Sequence, residues 1–170
     1  LDEVRRLSTI SRKLLLLSQA DAGRLSVLRE PFDLSRALAD LVEDTRMLAP
    51  TLQVTAEIQP GVMVGADGSL LMQVLHNLIS NAIKYNIEDG WIRIATLVWS
   101  QQVEVQVSNS SPGIPAGERS KIFERFYRAD PAHSRKVEGV GLGLSVSREI
   151  ARAHGGDITL KADSDGVVQF

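Results

Sequence analysis

Gln73, Asn77, Asn81 and Lys84 follow one another at spacings of four, four and three residues, so in a helix they share one face. Leu71, Val74, Leu75, Leu78 and Ala82 fall on the opposite face. The segment from about Ser69 to Tyr85 is therefore expected to be an amphipathic helix capped by Asp67. Asparagine is a poor helix former, and two of them in mid-helix call for something that compensates. An asparagine oxygen suits Mg²⁺, a hard cation that keeps most of its waters, and a lysine one turn on can meet a phosphate. An ordinary solvent-facing stripe is the other reading of the same four residues.

Two further stretches carry chemical promise. Glu138-Gly139-Val140-Gly141-Leu142-Gly143-Leu144 runs straight into a helical pattern from about Gly143 to Ala153. Glycines let a backbone approach a phosphate, and a helix start offers unpaired N–H groups; a flexible glycine-rich helix entry fits equally well. The stretch does not follow a strand, which disfavours a Rossmann site, and it lacks the Gly-Lys-Ser/Thr ending of a P-loop. Val107 to Pro115 leaves a strand through Asn109, Ser110, Ser111, Pro112 and Gly113. A side-chain acceptor beside such a turn can read an amino group on a base, although a plain turn has the same composition.

The elements that must position these groups are legible in outline. Leu7, Ile10, Leu14 and Leu17 form a heptad-like seam on a helix from Leu1 to Ala22, stopped by Gly23. Such a seam calls for a partner helix, or else for packing on its own domain. Pro31 breaks the pattern, and Asp33 or Ser35 can cap a helix to about Leu48. Leu52, Val54, Ala56 and Ile58 alternate as in a strand, as do Val62 and Val64. Ile92, Ile94 and Val98 pair naturally with Val103, Val105 and Val107, and Asp157 to Phe170 reads as a hairpin. Residues 109–141 form a long segment rich in Gly, Pro, Ser and charge around one apolar knot, Ile122-Phe123-Phe126-Tyr127. The sum is α+β, a mostly antiparallel sheet with helices on one face. With 170 residues, 44% hydrophobic and 24% charged, the chain can bury a core. A net charge of -2 makes no electrostatic case for nucleic acid. There is no cysteine, and the histidines, His76, His133 and His154, lack zinc-like spacing. The opening Leu1 and the strand-like ending at Phe170 suggest a piece of a longer protein.

The order of these features resembles the sensor histidine kinases of two-component systems. Asn77-Leu78-Ile79-Ser80-Asn81-Ala82-Ile83-Lys84-Tyr85 is similar to their N box. Residues 109–115 resemble the G1 box, Ile122 to Arg128 the F box, and Gly139 to Leu144 the G2 box. Leu1 to Gly23 looks like the second helix of the dimerisation and phosphotransfer hairpin, and Phe126 to Gly156 looks closest to the heavy-metal sensors.

The resemblance implies a two-layer α/β sandwich of Bergerat type over residues 31–170, with residues 1–30 the remnant of the hairpin. It implies ATP and Mg²⁺ as cofactors, with Asn81 on the metal. Asn77 would stand where related ATPases keep a catalytic glutamate; an amide cannot serve as that base. Lys84 would meet phosphate, Tyr85 and Tyr127 would lie by the nucleotide, and Arg128, with Arg135 or Lys136, would neutralise charge on the γ-phosphoryl group. Asn109, Gly113 and Ile114 would receive the adenine. Gly139, Val140, Gly141, Leu142, Gly143 and Leu144 would close a lid, residues 113–141, over the phosphates. The family usually has aspartate at Asn109 and glycine at Ser111, departures that bear on affinity. Its phosphoacceptor histidine is followed by an acidic residue, whereas His76, His133 and His154 precede Asn77, Ser134 and Gly155; the acceptor is therefore expected upstream of Leu1. The implied partners are that upstream hairpin, a response regulator and a second copy in a full-length homodimer. The implied setting is the cytoplasmic side of a sensor anchored in a bacterial inner membrane. A degenerate nucleotide-binding module and a related serine kinase or ATPase are the competing readings, the latter disfavoured by the heptad-bearing first helix.

Overall fold

The computed structural model describes residues 2–128, 140–164 and 166–170. Helix α1 spans Asp2–Asp21, followed by β1 (Glu30–Asp33), α2 (Leu34–Leu48), β2 (Gln53–Glu57), β3 (Met63–Ala66) and α3 (Gly68–Lys84). Strands β4 (Trp91–Val98) and β5 (Val103–Ser110), helix α4 (Gly143–Ala153), β6 (Ala162–Ser164) and β7 (Val167–Gln169) complete it. The main sheet has the order β2-β4-β5-β7-β6. Only its β2–β4 pair is parallel, which agrees with the mostly antiparallel sheet expected.

Alternation sets the faces of this sheet. Val54 lies opposite Ile92, and Ala56 opposite Ile94, and Ile94 in turn lies opposite Val107. Ile92, Ile94 and Val107 are fully buried under α2, α3 and α4 with Leu38, Leu75, Leu78, Val146 and Ile150. On the other face Arg93 and Glu57 form an exposed ion pair at 2.7 Å, and such a pair adds little to stability.

Both helix caps read from sequence form as expected. Asp33 Oδ1 accepts from the Arg36 N–H at 2.9 Å, and Asp67 Oδ1 from the Leu70 N–H at 3.2 Å. Pro31 does more than break a helical pattern. It sits inside β1, which pairs antiparallel with β3 in a separate two-stranded sheet, where proline is tolerated because each strand of such a ribbon has a free edge. Strand β1 also spans the boundary expected between residues 30 and 31.

Helix α1 divides its apolar residues between two faces. Leu17 is 1% exposed and joins the main core, with Ile10 packed beside it, and α1 rests against α4. Leu7 and Leu14 remain 59% and 41% exposed. The single four-residue seam expected from sequence is thus corrected: Ile10 and Leu17 belong to the body, while Leu7 and Leu14 share an outward face with Val4 and Leu15. Periodicity alone could not separate two faces that lie side by side on one helix.

The end of α1 is clasped by an exposed ion pair in which both Arg125 Nη atoms reach the Asp21 carboxylate, Nη1 at 2.7 Å. The Arg125 hydrogen bonds hold the Asp21 carboxyl below the usual aspartate range. Its folded value therefore lies under the unfolded one. The clasp is fully present above the unfolded value of about 3.9 and is lost as pH falls on through the lowered value. Asp21→Asn should raise hydrogen exchange of the α1 amides at neutral pH and remove its acid dependence. Wild-type protection in that variant would show that the clasp does not hold the helix.

Candidate functional site

Helix α3 turns Val74, Leu75, Leu78, Ile79 and Ala82 into the core and leaves Asn77, Ser80, Asn81, Lys84 and Tyr85 on the wall of a cavity of about 550 Å³. The polar stripe is thus not a plain solvent face. Asn77 donates from Nδ2 to Ser147 Oγ on α4 at 3.0 Å, which compensates for an amide in mid-helix and ties α3 to α4. Ser147 is fully buried. Asn81 makes no side-chain hydrogen bond to any described residue.

The far end of α3 is held by a small polar knot. Ser110 Oγ donates to Asn86 Oδ1 at 2.6 Å and accepts from the Trp91 N–H at 2.8 Å. Asn86 Nδ2 donates to the carbonyls of Ala82 and Trp91. A Cβ on Gly90 would collide with Asn86 Oδ1 and Ser110 Oγ, so only glycine fits beside the knot. These bonds set where α3 ends, and with it Lys84 and Tyr85.

The second wall comes from Ile122, Tyr127 and Arg128 and from Val140 to Leu144. Phe123 anchors this region: its ring meets Phe170 edge-on at 6.2 Å and carries the Arg148 guanidinium at 4.6 Å. Gly141 has φ +74 and presses against the Phe126–Tyr127 backbone, and its carbonyl accepts from the Phe126 N–H at 2.9 Å. A third wall is helix α1, through Glu3, Arg6, Thr9, Ile10 and Lys13. Sequence reasoning did not assign these α1 residues to a site. Their signal was present as Glu3, Arg6, Ile10, Lys13 and Leu17 at alternating spacings of three and four, but the mixture of charged and apolar types hid it.

The remaining expected residues lie elsewhere. Asn109, Gly113 and Ile114 do not line the cavity. Asn109 sits in β5 opposite Ile92 and Val168, on the helix-facing side of the sheet, and is 3% exposed. Its Nδ2 donates to the Ser110 carbonyl at 2.8 Å. Among the described residues nothing donates to its Oδ1. Such an atom buried on an apolar face invites a ligand donor. Gly113, at φ +90, donates its N–H to Ser111 Oγ at 3.1 Å. Gly139, His133, Arg135 and Lys136 lie outside the described residues.

Two histidines can be judged as nucleophiles. His154 Nε2 accepts from the Asp67 N–H at 3.0 Å, and Nδ1 lies 2.8 Å from the Ile150 carbonyl. An amide can only donate and a carbonyl only accept, so the proton is on Nδ1 and both nitrogens are engaged. His76 is exposed on α3 and does not line the cavity.

Among the described residues, Arg6, Lys13, Lys84 and Arg128 line the cavity with one acid, Glu3. Among the described residues no cluster of three His, Cys, Asp or Glu side chains is placed to hold a metal by itself. A cation here would need oxygens from a ligand beside an amide such as that of Asn81, the mode in which Mg²⁺ is held through phosphates.

This frame and its multi-walled polar cavity have a family. Residues 66–170 match the histidine kinase-, DNA gyrase B- and HSP90-like ATPases, and the chain belongs to that family. Within it the similarity runs to sensor kinases. The probable sensor histidine kinase TcrY of Mycobacterium tuberculosis is 34% identical over 169 residues, 99% of this chain and 35% of its own length. The chain thus spans about a third of that relative's length. The Acinetobacter baumannii histidine kinase AdeS superposes with a TM-score of 0.76 at 25% identity, over 99% of this chain and 78% of that one. The histidine kinase ThkA, solved in complex with the response regulator protein TrrA, gives 0.74 at 28% identity, over 99% and 47%. The two-layer Bergerat-type sandwich expected from sequence is the fold of these kinases.

Proposed function

We propose that this chain is the ATP-binding catalytic core of a sensor protein-histidine kinase in a two-component system, passing the ATP γ-phosphoryl group to a histidine outside these 170 residues. The observation that carries this is the cavity lined by Asn77, Ser80, Asn81, Lys84 and Tyr85, by Tyr127 and Arg128, and by Val140 to Leu144. Lys84 and Arg128 supply positive charge where phosphates would lie. Asn77, fixed by Ser147, offers an amide and no general base, which suits transfer to an imidazole rather than to water. Asn109 Oδ1 would accept from the adenine amino group. Asn81 would hold Mg²⁺, which when bound neutralises charge on the phosphate oxygens.

Residues 1–30 are assigned in this proposal to the second hairpin helix and 31–170 to the catalytic domain. Val4, Leu7, Leu14 and Leu15, exposed along one side of α1, support a further hairpin helix packed there and a homodimer. A response regulator would receive the phosphoryl group, as the ThkA–TrrA complex suggests. Among the described residues no helix is long and apolar enough to cross a membrane. We place the catalytic core on the cytoplasmic side of a membrane-anchored parent.

The test is radiolabelled ATP with the 170-residue chain alone. It should bind ATP yet acquire no acid-labile label, because in-line transfer needs an imidazole nitrogen within about 3–3.5 Å of the γ-phosphorus and His154 has both nitrogens engaged. Adding a hairpin that carries its own histidine should restore labelling. Absence of ATP binding would remove the kinase assignment, and stoichiometric acid-labile label on the chain alone would place the acceptor within it.

A further inference from the structure

We infer that helix α1 is itself part of the nucleotide site, with Lys13 binding the polyphosphate so that a bound nucleotide ties α1 to the catalytic body. The inference rests on the nucleotide assignment above and adds to it a ligand from the hairpin segment.

Lys13 lines the same cavity as Lys84. It lies on the body-facing side of α1, between Ile10 and Leu17, both packed on the core, so its position is fixed by burial and not by a flexible tether. It is half-buried, and no carboxylate among the described residues pairs with it. Burial, and then the Lys84 ammonium, lower its pKa. Both ammonium groups line the same cavity, so a polyanion bound there would meet Lys13 and Lys84 together and would relieve the burial of the Lys13 charge. Arg6, two turns earlier on the same face, adds to the positive potential, and among the described residues Glu3 is the one acid on the cavity wall. A polyphosphate supplies several negative oxygens along a line, which matches cations arriving from two different helices.

Equilibrium titration of the full 170-residue chain with a non-hydrolysable ATP analogue and with adenosine, each in the presence of Mg²⁺, tests the inference. Lys13→Gln should weaken the analogue about tenfold, as expected for a lost charge-assisted contact, and leave adenosine unchanged. Lys13→Arg should keep most of the affinity. The ligand-free Lys13→Gln chain should melt no lower than wild type, since the substitution removes a half-buried charge that no described carboxylate pairs with. Equal analogue affinity in Lys13→Gln would overturn the role of Lys13 while leaving the ATP site standing. Equal weakening of adenosine would make the effect structural and overturn it too. A wild-type chain that fails to bind the analogue would remove the nucleotide assignment itself, and the inference with it.

Discussion

Gly141→Ala should lower the stability of the chain by about 2–4 kcal/mol, combining a left-handed backbone forced on an L side chain with overpacking. Gly141 has φ +74, and a Cβ there would lie 2.7 Å from both the Phe126 carbonyl carbon and the Tyr127 carbonyl oxygen. Those atoms are backbone and cannot swing aside. Phe126 is itself at φ +63 and donates its N–H to the Gly141 carbonyl, so neither strand of this contact can relax without breaking the other. Gly143, two residues on, is the control. It opens α4, and a Cβ would meet only Asn77 side-chain atoms at 3.7 and 3.9 Å, an ordinary contact. Gly143→Ala should leave stability unchanged or raise it by about 0.4–1 kcal/mol through the unfolded chain, while crowding the cavity it lines. Urea unfolding of both variants separates the roles. A Gly141→Ala chain as stable as wild type would mean that the close approach to the Phe126–Tyr127 backbone is not made in solution.

On the proposed assignment, Asn81→Ala should leave the fold intact and remove Mg²⁺-dependent nucleotide binding, with phosphotransfer to an added histidine-bearing hairpin falling on the order of 100-fold or more. Asn81 makes no side-chain hydrogen bond to a described residue, so its loss leaves no stranded partner. Alanine is moreover the better helix former by about half a kcal/mol. Asn77 could not serve the same purpose, because its bond to buried Ser147 makes any substitution a structural one as well. Binding is to be measured with Mg²⁺ and again with a chelator. In wild type the two affinities should differ, and in Asn81→Ala the difference should collapse. Asn81→Asp should also reduce binding, since a carboxylate alters the charge balance at the metal and phosphates. A wild-type response to Mg²⁺ in both variants would take Asn81 out of the site.

Local chemistry determined much of this protein by sequence alone. The caps at Asp33 and Asp67, the amphipathic helix that carries Asn77 and Asn81, the β4–β5 hairpin and the glycine-rich entry to α4 were all legible, because each depends on residues within a few positions of one another. The order of those elements sufficed to suggest a resemblance to sensor kinases, and residues 66–170 match the wider ATPase family. Tertiary structure decided what depended on distant partners. It split the α1 seam between core and outside, since only the presence of α4 determines which face is covered. It gave Asn77 a structural partner seventy residues away in Ser147, and it paired Pro31 into a strand with β3. It set Lys13 of α1 against the same cavity as Lys84 of α3, a meeting of like charges that no local pattern encodes because their separation along the chain carries no information about their separation in space.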